Sequence, residues 1–138
     1  MFMAPEPQIV EQLEALDIFT EVISTDDADM RANQLRAPAA VVLYGGYSVD
    51  KTAQNNQTVG IKEQWDVVVI LQAGNTNSSG LSGEAKGLME QVMSSLMGFT
   101  PQGYYSSLVP VTPEKPFYDE TYGYYPMSFE VSRVIKRT

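Results

Sequence analysis

Cysteine and histidine are both missing from the 138 residues of this sequence. Without thiols there is no disulfide, no thiolate nucleophile and no cysteine-rich zinc site, a composition that fits an intracellular origin. Without imidazole the chain lacks the commonest metal ligand and the usual general base near neutral pH. Positive charge is scarce too: nine Lys and Arg stand against seventeen Asp and Glu, for a formal net charge of −8. That balance argues against a broad electrostatic grip on nucleic acid or anionic lipid, since both need clustered cations. No apolar run approaches the roughly 20 residues that span a bilayer, and the N-terminus shows neither the basic start nor the apolar stretch of a signal peptide. The expectation is a protein made and kept in the cytoplasm until it is assembled, with no membrane partner and no sequence-specific nucleic-acid partner.

The charges that are present are unevenly placed. Glu6, Glu11, Glu14, Asp17, Glu21, Asp26, Asp27 and Asp29 all precede the first basic residue, Arg31, whereas Arg133, Lys136 and Arg137 crowd the other end. Two readings are open. In one, the acidic N-terminal region of one copy meets the basic C-terminal end of the next, a head-to-tail contact. In the other, these are a solvated surface and a basic tail.

Hydrophobic periodicity supplies the elements. Ile9, Leu13 and Leu16 recur at helical spacing after Pro5 and Pro7, predicting an amphipathic helix over 8–16. Residues 19–23 alternate as a brief strand. The acidic turn at 26–29 can cap a second short helix running to Gln34. Residues 37–44 read as a strand that is apolar on both faces and ends at Gly45 and Gly46. The polar stretch 47–58 has the composition of an exposed loop or the outer part of a hairpin.

The clearest strand is 59–72, where Val59, Ile61, Trp65, Val67, Val69 and Leu71 share one face. Its other face starts polar at Lys62, Gln64 and Asp66 and turns apolar at Val68 and Ile70. The first half should therefore be exposed on one side and the second half covered on both. A Gly, Asn and Ser-rich connection at 73–80 leads to the clearest helix, 81–96, with Leu81, Ala85, Leu88, Met89, Val92, Met93 and Leu96 in one stripe and Gly98 as its stop. Residues 104–111 have strand composition, 110–116 are a turn-rich break, and 127–136 close the chain as a strand.

No repeat, heptad run or linker divides the chain, so residues 1–138 read as one domain. The expected fold is α+β: a mostly antiparallel sheet of about four to five strands with two main helices packed on one face.

The residues that can carry chemistry are few. Asp26, Asp27 and Asp29 offer oxygen ligands for a hard cation, but they lack the spaced ligands, central Gly and terminal Glu of a calcium loop, and Asp commonly caps helices. Gly45 and Gly46 lack the Gly, Lys, Ser/Thr ending of a phosphate-binding loop, leaving a turn. Ser78, Ser79 and Ser82 have no His partner, and Lys86 would have to sit in a dry pocket to activate one of them, so they read as caps. Tyr104, Tyr105, Tyr118, Tyr122, Tyr124 and Tyr125 can serve either a partner surface or ordinary strand packing. The polar stretches 47–58 and 73–80 can order against a neighbouring subunit.

Taken together, the opening helix from Ile9 to Leu16, the strand Pro38-Ala39-Ala40-Val41-Val42 before Gly45-Gly46, the long strand from Trp65 to Leu71, the helix from Leu81 to Leu96 and the closing Tyr125-Pro126-Met127-Ser128-Phe129-Glu130-Val131 resemble the tail terminator proteins of long-tailed bacteriophages, also called tail-completion proteins. The likeness spans nearly the whole chain in size and element order, without a short diagnostic motif. It implies a structural subunit that forms a six-membered ring, caps the finished tail tube, ends its polymerisation and offers its other face to the head or neck. Its partners would be copies of itself, the tail tube protein and a head–tail joining protein, at the head-proximal end of the virion tail. Such a protein works through surfaces, so no enzyme activity, no catalytic, cofactor-binding or metal-binding residue, and no cofactor is expected. Two alternatives stand beside it: another neck or head-completion protein, and a non-catalytic small-molecule-binding α+β module with a pocket between the sheet and helix 81–96.

Overall fold

The computed structural model describes residues 5–26, 30, 35–50, 57–72, 83–103 and 106–138. In chain order the elements are α1 (Pro5–Ala15), β1 (Glu21–Ser24), β2 (Ala39–Asp50), β3 (Thr58–Gln72), α2 (Gly83–Leu96), β4 (Val109–Val111), β5 (Phe117–Tyr118) and β6 (Tyr122–Lys136). The six strands form one sheet in the order β1-β2-β3-β6-β4, with β5 also paired to β6. Only the β1–β2 pairing is parallel; the rest are antiparallel. The fold is therefore α+β, with one or two more strands than the sequence suggested.

β3 is the spine of the sheet. It pairs with β6 along its whole length, from Thr58 against Lys136 to Gln72 against Tyr122, and with β2 on its other side. Strand alternation sends Trp65, Val67, Val69 and Leu71 into one core with Ala40, Val42, Tyr125, Met127 and Phe129. Helix α1 covers that face with Ile9 and Leu13, and α2 covers it with Ala85, Leu88, Val92 and Leu96. Both helices thus lie on one face, as expected. On the opposite face Ala39, Val41, Val68, Ile70, Tyr122 and Tyr124 pack under Met30 and Leu35. β3 is accordingly buried on both sides from Val67 to Leu71, while Lys62 is exposed.

Several boundaries differ from the sequence reading, each for a local reason. Helix α1 starts at Pro5 rather than at Gln8, because first-turn N–H groups have no intrahelical acceptor and proline loses nothing there. β2 does not end at Gly45 and Gly46. These two residues oppose Gln64 alone, between the pairs Tyr44–Trp65 and Tyr47–Glu63, as a β-bulge, and the strand runs on to Asp50. Gly46 has φ of 92°, which a side chain disfavours, and a Cβ on Gly45 would lie 2.9 Å from Gln64 Cγ. The outer part of a hairpin is thus what residues 47–50 and Thr58 form; 51–56 lie outside the described residues.

The expected strand over 104–111 shrinks to Val109–Val111. Leu108 is held at the end of α2 instead, its N–H donating to Phe99 O at 2.8 Å and its carbonyl accepting from Gly98 N–H at 3.1 Å. Gly98, with φ of 86°, stops α2 as expected. The closing strand begins at Tyr122, not Met127. Arg137 N–H donates to Gln57 O, so odd-numbered residues of this part of β6 face β3 and even-numbered ones face outward. Pro126 points its missing N–H outward, at a site paired by neither β4 nor β5. Strand β5, inside the Tyr-rich stretch, was not expected at all.

Of the second short helix, Met30 is described, and its N–H donates to Asp26 O at 2.9 Å in the helical i to i−4 pattern. Asp27, Asp29 and 31–34 lie outside the described residues, as do 73–80, Leu81 and Ser82.

Adding a methyl at Gly46 meets no heavy atom within 4 Å, so its cost is conformational alone. Gly46→Ala should lower stability by roughly 1 to 2 kcal/mol, read as a lower urea midpoint at unchanged slope; an unchanged midpoint would show that the bulge does not need the left-handed conformation.

Candidate interaction site

Among the described residues, the face of the sheet opposite the helices is only partly covered. Past the Met30 and Leu35 lid it opens into a trench of about 750 Å³. Ser24 and Asp26 form one wall, Leu43, Asp66, Val68, Pro126 and Ser128 the floor, and Glu114 and Phe117 the other wall. The trench crosses from β1 to the strap joining β4 to β5, about 19 Å at the usual ~4.8 Å per strand spacing. With Glu6 at its rim it carries four carboxylates, and among the described residues no Lys or Arg lines it.

Asp66 sits at the middle of that floor. Its Oδ1 accepts from the Ser128 hydroxyl at 2.7 Å and from Gln64 Nε2 at 3.1 Å. Ser128 is the residue paired with Asp66 across the β3–β6 ladder, which fixes this contact in the register. The strap from Thr112 to Pro116 is exposed throughout, held at its two ends by β4 and β5.

The space that the sequence offered for a ligand, between the sheet and α2, is filled by Trp65, Leu88, Val92 and Leu96. Asp26 lies on the trench wall; Asp27, Asp29, Ser78, Ser79, Ser82, Tyr104 and Tyr105 lie outside the described residues. Lys86 is exposed on α2, and Gly45 and Gly46 form the bulge already described. Among the described residues no group of three or more Asp or Glu could hold a metal ion, and no helix is long and apolar enough to cross a membrane.

The tyrosines divide. Tyr122, Tyr124 and Tyr125 are buried, so packing accounts for them, while Tyr118 remains exposed. The Tyr122 hydroxyl accepts from Leu35 N–H at 3.0 Å and donates to Leu35 O at 2.7 Å, tying β6 to the segment before β2. The Tyr124 hydroxyl donates to Asp119 Oδ2 at 2.7 Å, and the Tyr124 ring stacks on Phe117 at 4.7 Å. On the helix face Tyr118 meets Tyr125 edge-on at 5.9 Å. Burial, then a hydrogen bond with Tyr118 and the charge of that phenol, push Tyr125 up to about 12. Tyr44, packed on Trp65 at 5.1 Å, is also raised, by burial first and by the charges of Glu63 and Tyr47 after it.

Two residues of β3 that no motif singles out carry readable signals. Glu63 falls on the apolar face of β3 between Ile61 and Trp65 and is fully buried. Asp66 marks the point where the other face of β3 changes from polar to apolar, which is the signal that locates the trench floor.

A family model described as phage tail terminator protein matches residues 1–138. Among solved structures, a chain of the virion of a native gene transfer agent particle is similar over 90% of each chain, with a TM-score of 0.58 and 16% identity, which shows a shared fold. No curated protein matches.

Because the folded protein holds the Tyr125 proton more tightly than an unfolded chain with a phenol near 10, the stabilisation from this group is complete below pH 10 and is lost as pH rises toward 12. Urea midpoints should fall over that interval, and Tyr125→Phe should flatten part of the fall; an equally steep fall in the variant would assign it to other groups.

Proposed function

The chain belongs to the phage tail terminator family and is a structural component of the virion tail, and from that premise we propose that it forms a homo-oligomeric ring, a hexamer, that caps the tail tube. The ring ends tube polymerisation at the head-proximal end and presents its other face to a head–tail joining or neck protein. Residues 1–138 act as one domain, without catalysis and without a cofactor. The observation that carries this reading is the family match along the whole chain. The shared fold with a chain of a gene transfer agent virion supports it.

The physical character of the chain is compatible with such work. An acidic surface keeps subunits apart until a matched surface is met, and a closed ring needs two different patches, one for each neighbour. Nucleic acid and membrane do not enter this role, in keeping with the net charge of −8.

Sizing coupled to mass measurement should find hexamers, alone or on isolated tail tubes. A strict monomer under both conditions would oppose the ring. A phage lacking the protein should make tails of uncontrolled length; tails of normal length that fail to join heads would instead identify a neck protein.

A further inference from the structure

We propose that the carboxylate-lined trench is the socket for the basic end of β6 from a second copy of this chain, an inference that rests on the ring reading and names its subunit contact. The trench holds Glu6, Asp26 and Glu114 around a floor in which Asp66 sits among Leu43, Val68 and Pro126. Lys136 and Arg137 are exposed at the end of the β3–β6 ladder, eight residues beyond Ser128. Long cationic side chains suit such a trench: their methylene stems lie against Leu43 and Val68 while their heads reach the carboxylates at wall and rim.

The same copy cannot supply them. Ser128 is on the trench floor, and β6 runs straight from there to Lys136, eight residues or about 27 Å away at ~3.4 Å per residue. Pairing of Thr58 with Lys136 and the bond from Arg137 N–H to Gln57 O hold that end in the sheet. Held there, neither Lys136 nor Arg137 can fold back onto the trench. Socket and plug therefore sit apart on one sheet, the socket over the middle of the β3–β6 ladder and the plug at its end. A contact between them is head-to-tail, the type that closes into a ring or extends into a filament.

Charge reversal tests this on the full-length protein. Glu6→Lys with Asp26→Lys and Glu114→Lys leaves only Asp66 acidic among the described trench residues and gives a chain whose socket and plug are both basic; Lys136→Glu with Arg137→Glu gives one in which both are acidic. Each variant alone should lose the ring seen for the wild type by native mass measurement. Mixed in equal amounts, they should restore it as rings of strictly alternating composition, which also shows that both variants are folded. Variants that form rings alone as the wild type does would overturn the socket and leave the ring reading intact. So would variants that fail alone and stay apart when mixed, with circular dichroism matching the wild type. A wild type that remains monomeric alone and on tail tubes would overturn the ring reading itself.

Discussion

Antiparallel pairing of β3 with β6 over fifteen residues is the constraint on which the rest of the molecule depends. Once that ladder is in register, alternation decides which side chains each face receives. Trp65, Val67, Val69 and Leu71 go to the helices, and Asp66, Val68 and Ile70 go to the other side. The same ladder sets Ser128 beside Asp66 and carries Lys136 far from both. A slip of one residue would turn the apolar set to solvent and dismantle the trench floor.

That ladder also explains why one face is rich in structure and the other in surface. Two helices cover the first core. Among the described residues the second is roofed where Met30, Leu35 and Phe117 reach, and beyond them the face opens as an acidic trench. A subunit built to meet copies of itself and other virion proteins gains more from such an uneven cover than from a sealed globule. Net negative charge adds selectivity, because only a partner presenting cations in the right place offsets the repulsion.

Much of this was legible in the residues. The period-two pattern of β3 and the helical stripe ending at Gly98 fixed the core, and with it the α+β class, since both signals extend over several turns or pleats. What escaped detection depended on pairing between distant segments. The strand through Tyr122, Gly123 and Pro126 looks like a loop locally; it is held extended because β3 lies along it. Gly45 and Gly46 look like a strand end, and only the opposed Gln64 reveals a bulge. The trench could not be read from spacing at all. Its carboxylates come from four separate stretches of chain, and no local pattern joins Asp26 to Glu114.

Electron micrographs of the purified protein mixed with isolated tail tubes bear most directly on whether this chain works through matched surfaces that close on themselves. Closed rings of uniform diameter seated at one end of each tube are the expected image. Single copies scattered in the field, or bound along the tube wall without closure, would contradict it.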